Sequence, residues 1–316
     1  MSAQVVALCG GIGGAKLALG LYRVLPPHAL TVIVNTGDDF EHLGLSICPD
    51  LDTTLYTLAG LANPELGWGR RDETWTFMRV LESLGGESWF RLGDGDLALH
   101  LERTRRLRSG ETLSAILADL AERFAVTASV VPMSDEPVRT RIDTPQGELA
   151  FQDYFVRRRC APRVTRIRYE NAARARPAAA ALSALTAPAL TCVVICPSNP
   201  HLSIDPLLAI PGLRAQLAAV SVPVIAVTPL VGGAAIKGPT AKIMRELGLP
   251  LTPLAVAEHY GELLDGFVLD EVDRGNAADF ACAVQVCDTV MVSLEDRERL
   301  AREVLAFAGR LRGKPR

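Results

Sequence analysis

The chain has 316 residues, enough for one large domain or a domain with an added lobe, and its 49% apolar content supports a sizeable core and excludes a disordered chain. Lys plus Arg number 33 against 36 Asp plus Glu, a net charge of −3, which disfavours work mainly on duplex nucleic acid or an anionic membrane and leaves room for a local anion site. Aromatic residues are 5%, too few for the stacking surface of a single-strand binder.

In chain order, Gln4 to Cys9 reads as a strand and Ala15 to Val24 as a helix. No basic stretch precedes the first strand, so no secretory leader is expected. Leu30 to Asn35 is a second strand after the Pro26-Pro27 break. Asp52 to Ala59 and Asp72 to Leu84 are expected to be helical. Leu97 to Arg108 and Glu111 to Phe124 read as two helices split by Ser109-Gly110, and Thr127 to Val131 as a strand. Val138 to Val156 alternates like a β-hairpin around Thr144-Pro145-Gln146-Gly147. Ala172 to Ala184 reads as a surface helix, because Ala favours helix. Further strands are expected at Leu190 to Cys196, Val222 to Val227, Phe267 to Leu269 and Thr289 to Val292. The uncharged stretches Pro177 to Ile204 and Leu217 to Ile236 are broken by Pro and Gly, so neither is a spanning helix.

Strand–helix alternation predicts an α/β fold: a Rossmann-like, mostly parallel sheet with helices on both faces. The hairpin marks a smaller inserted lobe. The expected division is residues 1–132 and 171–316 as the core, with 133–170 as the lobe. The seven cysteines are odd in number, lie in apolar surroundings and form no Cys-x-x-Cys pair, which suggests a reduced, cytoplasmic chain without a cysteine zinc site.

Glycine loops and acidic turns recur at strand ends. Gly10-Gly11-Ile12-Gly13-Gly14-Ala15-Lys16 joins the first strand to its helix, where glycines let backbone approach an anion and the helix N-terminus offers amides. It is neither a Walker loop nor a dinucleotide fingerprint, and a tight strand–helix turn is the plain alternative. Asn35-Thr36-Gly37-Asp38-Asp39 ends the second strand, where open α/β sheets bind ligands. Asp50 and Asp52 follow; Asp52 can also be a helix cap, with Asp50 just before it. Four carboxylates without local lysines suit Mg²⁺. Gly93-Asp94-Gly95-Asp96 precedes a helix, where a helix cap and turn is as good a reading as a functional one, and His100 beyond them reads as structural. Ser134-Asp135 and Ser198-Asn199 follow strands, and Lys237 lies in a glycine-rich loop. There is no Gly-x-Ser-x-Gly and no His-Glu-x-x-His. The theme fits a nucleotide or phosphate ester handled with Mg²⁺.

The ordered series Gly10–Lys16, Asn35-Thr36-Gly37-Asp38-Asp39, Cys48-Pro49-Asp50-Leu51-Asp52-Thr53, Leu92-Gly93-Asp94-Gly95-Asp96-Leu97-Ala98, Pro132-Met133-Ser134-Asp135, Phe151-Gln152-Asp153 and Pro197-Ser198-Asn199-Pro200 resembles the 2-phospho-L-lactate transferases (CofD/FbiA). Pro229-Leu230-Val231-Gly232-Gly233 with Lys237-Gly238 continues the match, which covers most of the chain. The resemblance implies a late step in coenzyme F-420 synthesis. A guanosine diphosphate-linked three-carbon acid (phospholactate, phosphoenolpyruvate or 3-phosphoglycerate) meets the terminal hydroxyl of the deazaflavin Fo, and GMP leaves. It implies Mg²⁺ and a homodimer. By the same resemblance Gly10, Gly11, Gly13, Gly14, Lys16, Asn35 and Lys237 serve the phosphates, and Ser198 and Asn199 face the donor. Asp50, Asp38 and Asp39 form the catalytic acidic site, with Asp50 and Asp38 on the metal. Asp50, Asp52, Thr53, Asp94 and Asp96 line the acceptor side. A related family of nucleotide-sugar-binding regulators, the gluconeogenesis factors, shares the Gly-rich start and the Asn-x-x-Asp-Asp turn and is the alternative reading. The Pro-Asp-Leu-Asp-Thr, Gly-Asp-x-Asp-Leu-Ala and Pro-Met-Ser-Asp set weighs against it.

Overall fold

A computed structural model describes residues 3–65, 67–235 and 238–313. The chain runs β1 (Gln4–Cys9), α1 (Gly11–Val24), β2 (Leu30–Val34), β3 (Phe40–His42), β4 (Leu45–Ile47), α2 (Pro49–Leu58), α3 (Thr76–Ser83), α4 (Asp94–Arg108), α5 (Leu113–Arg123) and β5 (Ser129–Pro132). The lobe strands β6 (Arg139–Thr144), β7 (Gly147–Ala150) and β8 (Arg166–Glu170) follow. The second half carries α6 (Ala179–Leu185), β9 (Leu190–Ile195), α7 (Asp205–Leu208), α8 (Pro211–Ala219), β10 (Val224–Val227), β11 (Leu230–Val231), β12 (Ala234–Ala235), α9 (Thr240–Glu246), α10 (Pro253–Tyr260), β13 (Gly266–Asp270), β14 (Ala283–Cys287) and α11 (Leu294–Leu311).

Seven strands form one parallel sheet in the order β14-β13-β10-β9-β1-β2-β5. Side chains alternate across a strand, so consecutive apolar residues feed opposite cores. Val5, Ala7 and Cys9 join Leu17 and Leu21 of α1, Leu51 and Leu55 of α2, and Leu300 and Val304 of α11. Val6 and Leu8 join Ala181 of α6, Leu213 of α8 and Val256 of α10 on the other face. Full burial of each Leu or Val contributes about 1.5–3 kcal/mol, which is why the central strands are mostly apolar, with Gln4, Thr31 and Thr191 only near their starts. The expected sheet with helices on both faces is therefore present. The hairpin is present too, with β8 added on the far edge of β6.

Several boundaries differ. The expected strand at Thr289 to Val292 is loop, and the last strand is Ala283–Cys287. Thr289 instead gives its backbone N–H and hydroxyl to Asp270, which closes the end of β13. The hairpin's second strand stops at Ala150 and a π-helical turn takes Asp153–Arg157. The Ala-rich helix starts only at Ala179, because the Ala178 N–H is drawn to the Met133 carbonyl. The segment from Asp72 becomes helical only at Thr76, Asp72 itself having a φ of 58°.

The strand order reverses between β1 and β9, and crevices outside strand carboxyl ends at such a switch point are where open α/β sheets hold ligands. No helix among the described residues is long and apolar enough to cross a membrane.

Candidate active site

The turn after β2 and the first turn of α2 meet beside the switch point. Pro49 sits at the first helical position, where its missing N–H costs nothing, and this places Asp50 inside the helix. Asp50 is thus not the residue before a cap. Its Oδ1 accepts from the Gly11 N–H at 2.9 Å and its Oδ2 from Asn35 Nδ2 at 2.9 Å. The same amide donates to Asp38 Oδ1 at 3.0 Å and to the Leu202 carbonyl at 3.3 Å. Asn35 Oδ1 accepts from the Gly37 N–H at 2.8 Å. One buried amide therefore ties two carboxylates and the segment after β9, and Asp50 carries the link on to the glycine loop.

Burial pushes Asp38 well above the usual carboxylate range, and the Asp50 charge adds to it. Burial also raises Asp50, against the bonds from Asn35 and Gly11. Two carboxylates held this way favour a cation between or beside them. Hard oxygen donors of this kind suit Mg²⁺, so the residues present fit that ion. The inserted lobe braces the turn: the Thr140 N–H reaches the Gly37 carbonyl at 2.8 Å and Gln152 Nε2 reaches the Asp38 carbonyl at 3.2 Å. A Cβ on Gly37 would lie 2.6 Å from Thr140 Oγ1, which is the packing reason for glycine there. Thr36 Oγ1, Asp39 Oδ1, Thr140 Oγ1 and Ser198 Oγ are buried without a hydrogen-bond partner. Unpartnered buried polar atoms are rare in finished cores and common where a ligand completes the set.

Asp39 and Asp52 belong to a neighbouring cluster. Burial pushes Asp39 up to about 7, with Arg139 foremost in opposing it. Asp52 is gripped by Arg103 through Nη1 at 2.5 Å and Nη2 at 2.8 Å, and Arg103 is fully buried. Arg103 Nη2 also lies 2.7 Å from His100 Nδ1, and Tyr56 donates to Asp96 Oδ1 at 2.7 Å. Burial opposes the Arg103 charge, and Asp52 more than restores it.

A family profile described as 2-phospho-L-lactate transferase CofD matches residues 5–306. The chain belongs to that family. It is 39% identical to the phosphoenolpyruvate transferase of Streptomyces coelicolor, over 98% of this chain and 99% of that protein. It is 38% identical to the 2-phospho-L-lactate transferase of Methanosarcina acetivorans, over 96% of this chain and 98% of that protein. In fold it is similar to a crystal structure of a UPF0052 family protein from Bacillus halodurans, with a TM-score of 0.65, 14% identity and coverage of 96% and 99%.

The remaining family positions divide into those at the crevice and those that hold the architecture. The glycine loop lies against the loop after β9. A Cβ on Gly13 would sit 2.4 Å from the Pro197 carbonyl, and one on Gly14 would sit 2.6 Å from Ser198 Oγ. Gly10 meets Ser203 and Asp50 in the same way, while Gly11 has open space but a φ of 66°. Lys16 Nζ donates to the Met291 carbonyl at 2.7 Å, beyond β14. Asn199 Oδ1 accepts from the His201 and Leu202 N–H groups, and its Nδ2 donates to Thr240 Oγ1. Ser198 therefore holds the unpartnered hydroxyl of that loop. Lys237 lies outside the described residues.

The expected cap role of Asp52 is replaced by the Arg103 pair, because α2 starts three residues earlier. Thr53 is buried beside it on α2. Asp94 accepts from the Thr76 and Phe77 N–H groups and so caps α3, not its own helix. Glu73 does the converse at α4, accepting from the Gly95 and Asp96 N–H groups. Asp135 of the Pro-Met-Ser-Asp motif accepts from Ser114 at the start of α5. Sequence reading missed Arg103, Arg139 and Glu73. Arg103 carried one usable signal: it lies three residues beyond His100 and seven beyond Asp96, on one helix face.

Proposed function

We propose that the chain transfers a phosphorylated three-carbon acid from its guanosine diphosphate-linked donor to the terminal hydroxyl of Fo, releasing GMP, in coenzyme F-420 biosynthesis. The observation that carries this reading is the Asp38–Asn35–Asp50–Gly11 knot at the switch point, in a chain of the 2-phospho-L-lactate transferase family. The hydroxyl oxygen bonds to the phosphorus that bears the acid, and the bond from that phosphorus to the GMP oxygen breaks. The hydroxyl proton passes to the carboxylate cluster. Asp38 and Asp50 would hold Mg²⁺, which when bound offsets phosphoryl charge and acidifies the attacking hydroxyl. Asn35 fixes the two carboxylates in one geometry, so little reorganisation is needed during reaction. The N-terminus of α1 and the Gly10–Gly14 backbone favour the donor's phosphates. Asp39, raised to about 7, can exchange a proton at neutral pH. Asp52 and Asp94 act through the scaffold, and Thr53, Asp50 and Asp96 line the acceptor side. The homodimer is proposed on the resemblance alone.

The test is GMP release and product mass with Fo and each of the three guanosine diphosphate-linked acids, in metal-free buffer and after Mg²⁺ addition. One donor should turn over with Mg²⁺ and stop with EDTA. Full turnover without metal removes the Mg²⁺ assignment. No transfer from any donor, with thermal stabilisation by UDP-sugars and not by Fo, points instead to a nucleotide-sugar regulator.

A further inference from the structure

His201, Asp205 and His259 come together outside the acidic site. His201 lies on the π-helical turn Pro200–Ile204, Asp205 opens α7 and His259 is on α10. Asp205 Oδ2 is 3.1 Å from His201 Nδ1 and Asp205 Oδ1 is 2.7 Å from His259 Nε2. One donor atom from each residue lies within 4.8 Å of the others. The imidazoles meet edge to face with centroids 4.6 Å apart. Tyr169 of β8 stands behind, giving its hydroxyl to the His201 carbonyl at 2.6 Å and lying 3.3 Å from Asp205 Oδ2.

We infer that this trio is a site for one divalent transition metal of the zinc class, which clips the Pro200–Ile204 turn to α10. Two imidazoles and a carboxylate are the donor set zinc takes, with bonds of about 2.0–2.2 Å. Tetrahedral donors at that radius stand about 3.4 Å apart, so the present 3.1 Å and 2.7 Å bonds, which use the two different oxygens of Asp205, would open by about 0.3 and 0.7 Å. Water takes the fourth position. His201 and Asp205 are buried or nearly so, while the His259 side chain is 33% exposed, which gives the ion an entry path. Tyr169 supplies the outer hydrogen bond that orients metal-binding groups. The other mixed cluster, Asp52, Asp96 and His100, already has a guanidinium on Asp52 and does not need a cation. No zinc motif shows in the sequence, because the third ligand comes 54 residues after Asp205. Occupancy would stiffen the turn whose Leu202 carbonyl meets Asn35 and whose Ser203 packs on Gly10. The ion's role is positional, and the site stands whether or not the proposed transfer is correct.

The test uses the full chain without an affinity tag, stripped with chelator and titrated with Zn²⁺ by calorimetry and with Co²⁺ by visible absorption. The Asp38→Asn/Asp50→Asn double variant removes competition from the acidic site. One Zn²⁺ per chain should bind to the double variant and raise its melting temperature. Adding His259→Gln should weaken that binding by about 100-fold or more and abolish the thermal shift. Asp205→Asn serves as the second ligand variant should His259→Gln fold poorly. The proposal is overturned if the double variant binds no Zn²⁺, or if the ligand variants bind it as tightly as the parent.

Discussion

Asp52→Asn is expected to cost stability, although Asn is a good helix-capping residue and the position lies in the first turn of α2. Arg103 is fully enclosed, and its guanidinium has Asp52 as a two-pronged partner, with the Ser46 carbonyl and His100 Nδ1 as lesser ones. Removing the carboxylate charge leaves a buried cation, a change that costs about 3–5 kcal/mol in comparable pairs. Asp39 also favours the Arg103 charge and the substituted side-chain amide can still accept one bond, so the lower end, about 3 kcal/mol, applies. Unfolding entropy of about 2.1 cal/mol/K per residue converts this for a chain of this size to a fall of about 5 °C in melting temperature. Calorimetry and urea unfolding followed by tryptophan fluorescence both read it. Asp52→Leu combined with Arg103→Met should recover to within about 1 kcal/mol of the parent, since removing both charges removes the unpaired one. A melting point for Asp52→Asn within about 1 °C of the parent would refute the argument that Arg103 depends on this carboxylate.

Asp50→Asn should lower single-turnover transfer to Fo by about 10²-fold or more, about 3 kcal/mol of transition-state stabilisation, with a small change in melting point; near-normal transfer moves the metal assignment to Asp38. Gly13→Ala should destabilise by about 1–3 kcal/mol through its collision with the Pro197 carbonyl and weaken donor and Fo together, whereas Gly11→Ala loses only about 1–2 kcal/mol for its left-handed backbone; melting curves and ligand titrations separate the two. For Asp39, the native state holds its proton up to about pH 7 while the unfolded chain releases it near the ordinary 3.8, so its contribution to stability is full below about 3.8 and is lost as pH rises through about 7. Asp39→Asn in metal-free buffer should therefore gain on the parent between pH 5 and pH 8 in urea unfolding, and a constant difference across that range would contradict the burial argument.

The sheet was legible because its strands are short apolar runs with glycine or proline after them, as at Val5–Cys9 and Leu190–Ile195. Thr289 to Val292 misled because β-favouring residues occur there without a parallel neighbour, while Ala283–Cys287 hides a strand behind Gln and Cys. Asp38 and Asp50 could be singled out together because one lies in the turn that ends the second strand and the other at the start of the next helix. Their sharing of one Asn35 amide could not, since it depends on how α2 enters the sheet. The hydrogen-bond partners of Asp52 and Asp94 were not foreseen for a common reason: each is satisfied by groups 17 to 51 residues away that local spacing does not reveal. Glycines 13 and 14 carried a correct signal of close approach, but the approaching group is the Pro197–Ser198 backbone and side chain.

The Asn35 amide joins residue 35 to a carbonyl 167 positions away, and Asp50 joins residue 50 to the amide of Gly11. The acidic site is thus assembled from segments that become neighbours only when β1 has strands on both sides. Closing so long a loop is entropically expensive and comes late in folding. A nascent or nicked chain lacking the region after β9 would keep the Asn35 and Gly11 bonds to Asp38 and Asp50 and lose the Leu202 carbonyl and the Ser203 packing that close the site. Substrate affinity should therefore report completion of the whole sheet, and bound ligand should protect distant cleavage sites on β9 and β2 as strongly as those in the glycine loop.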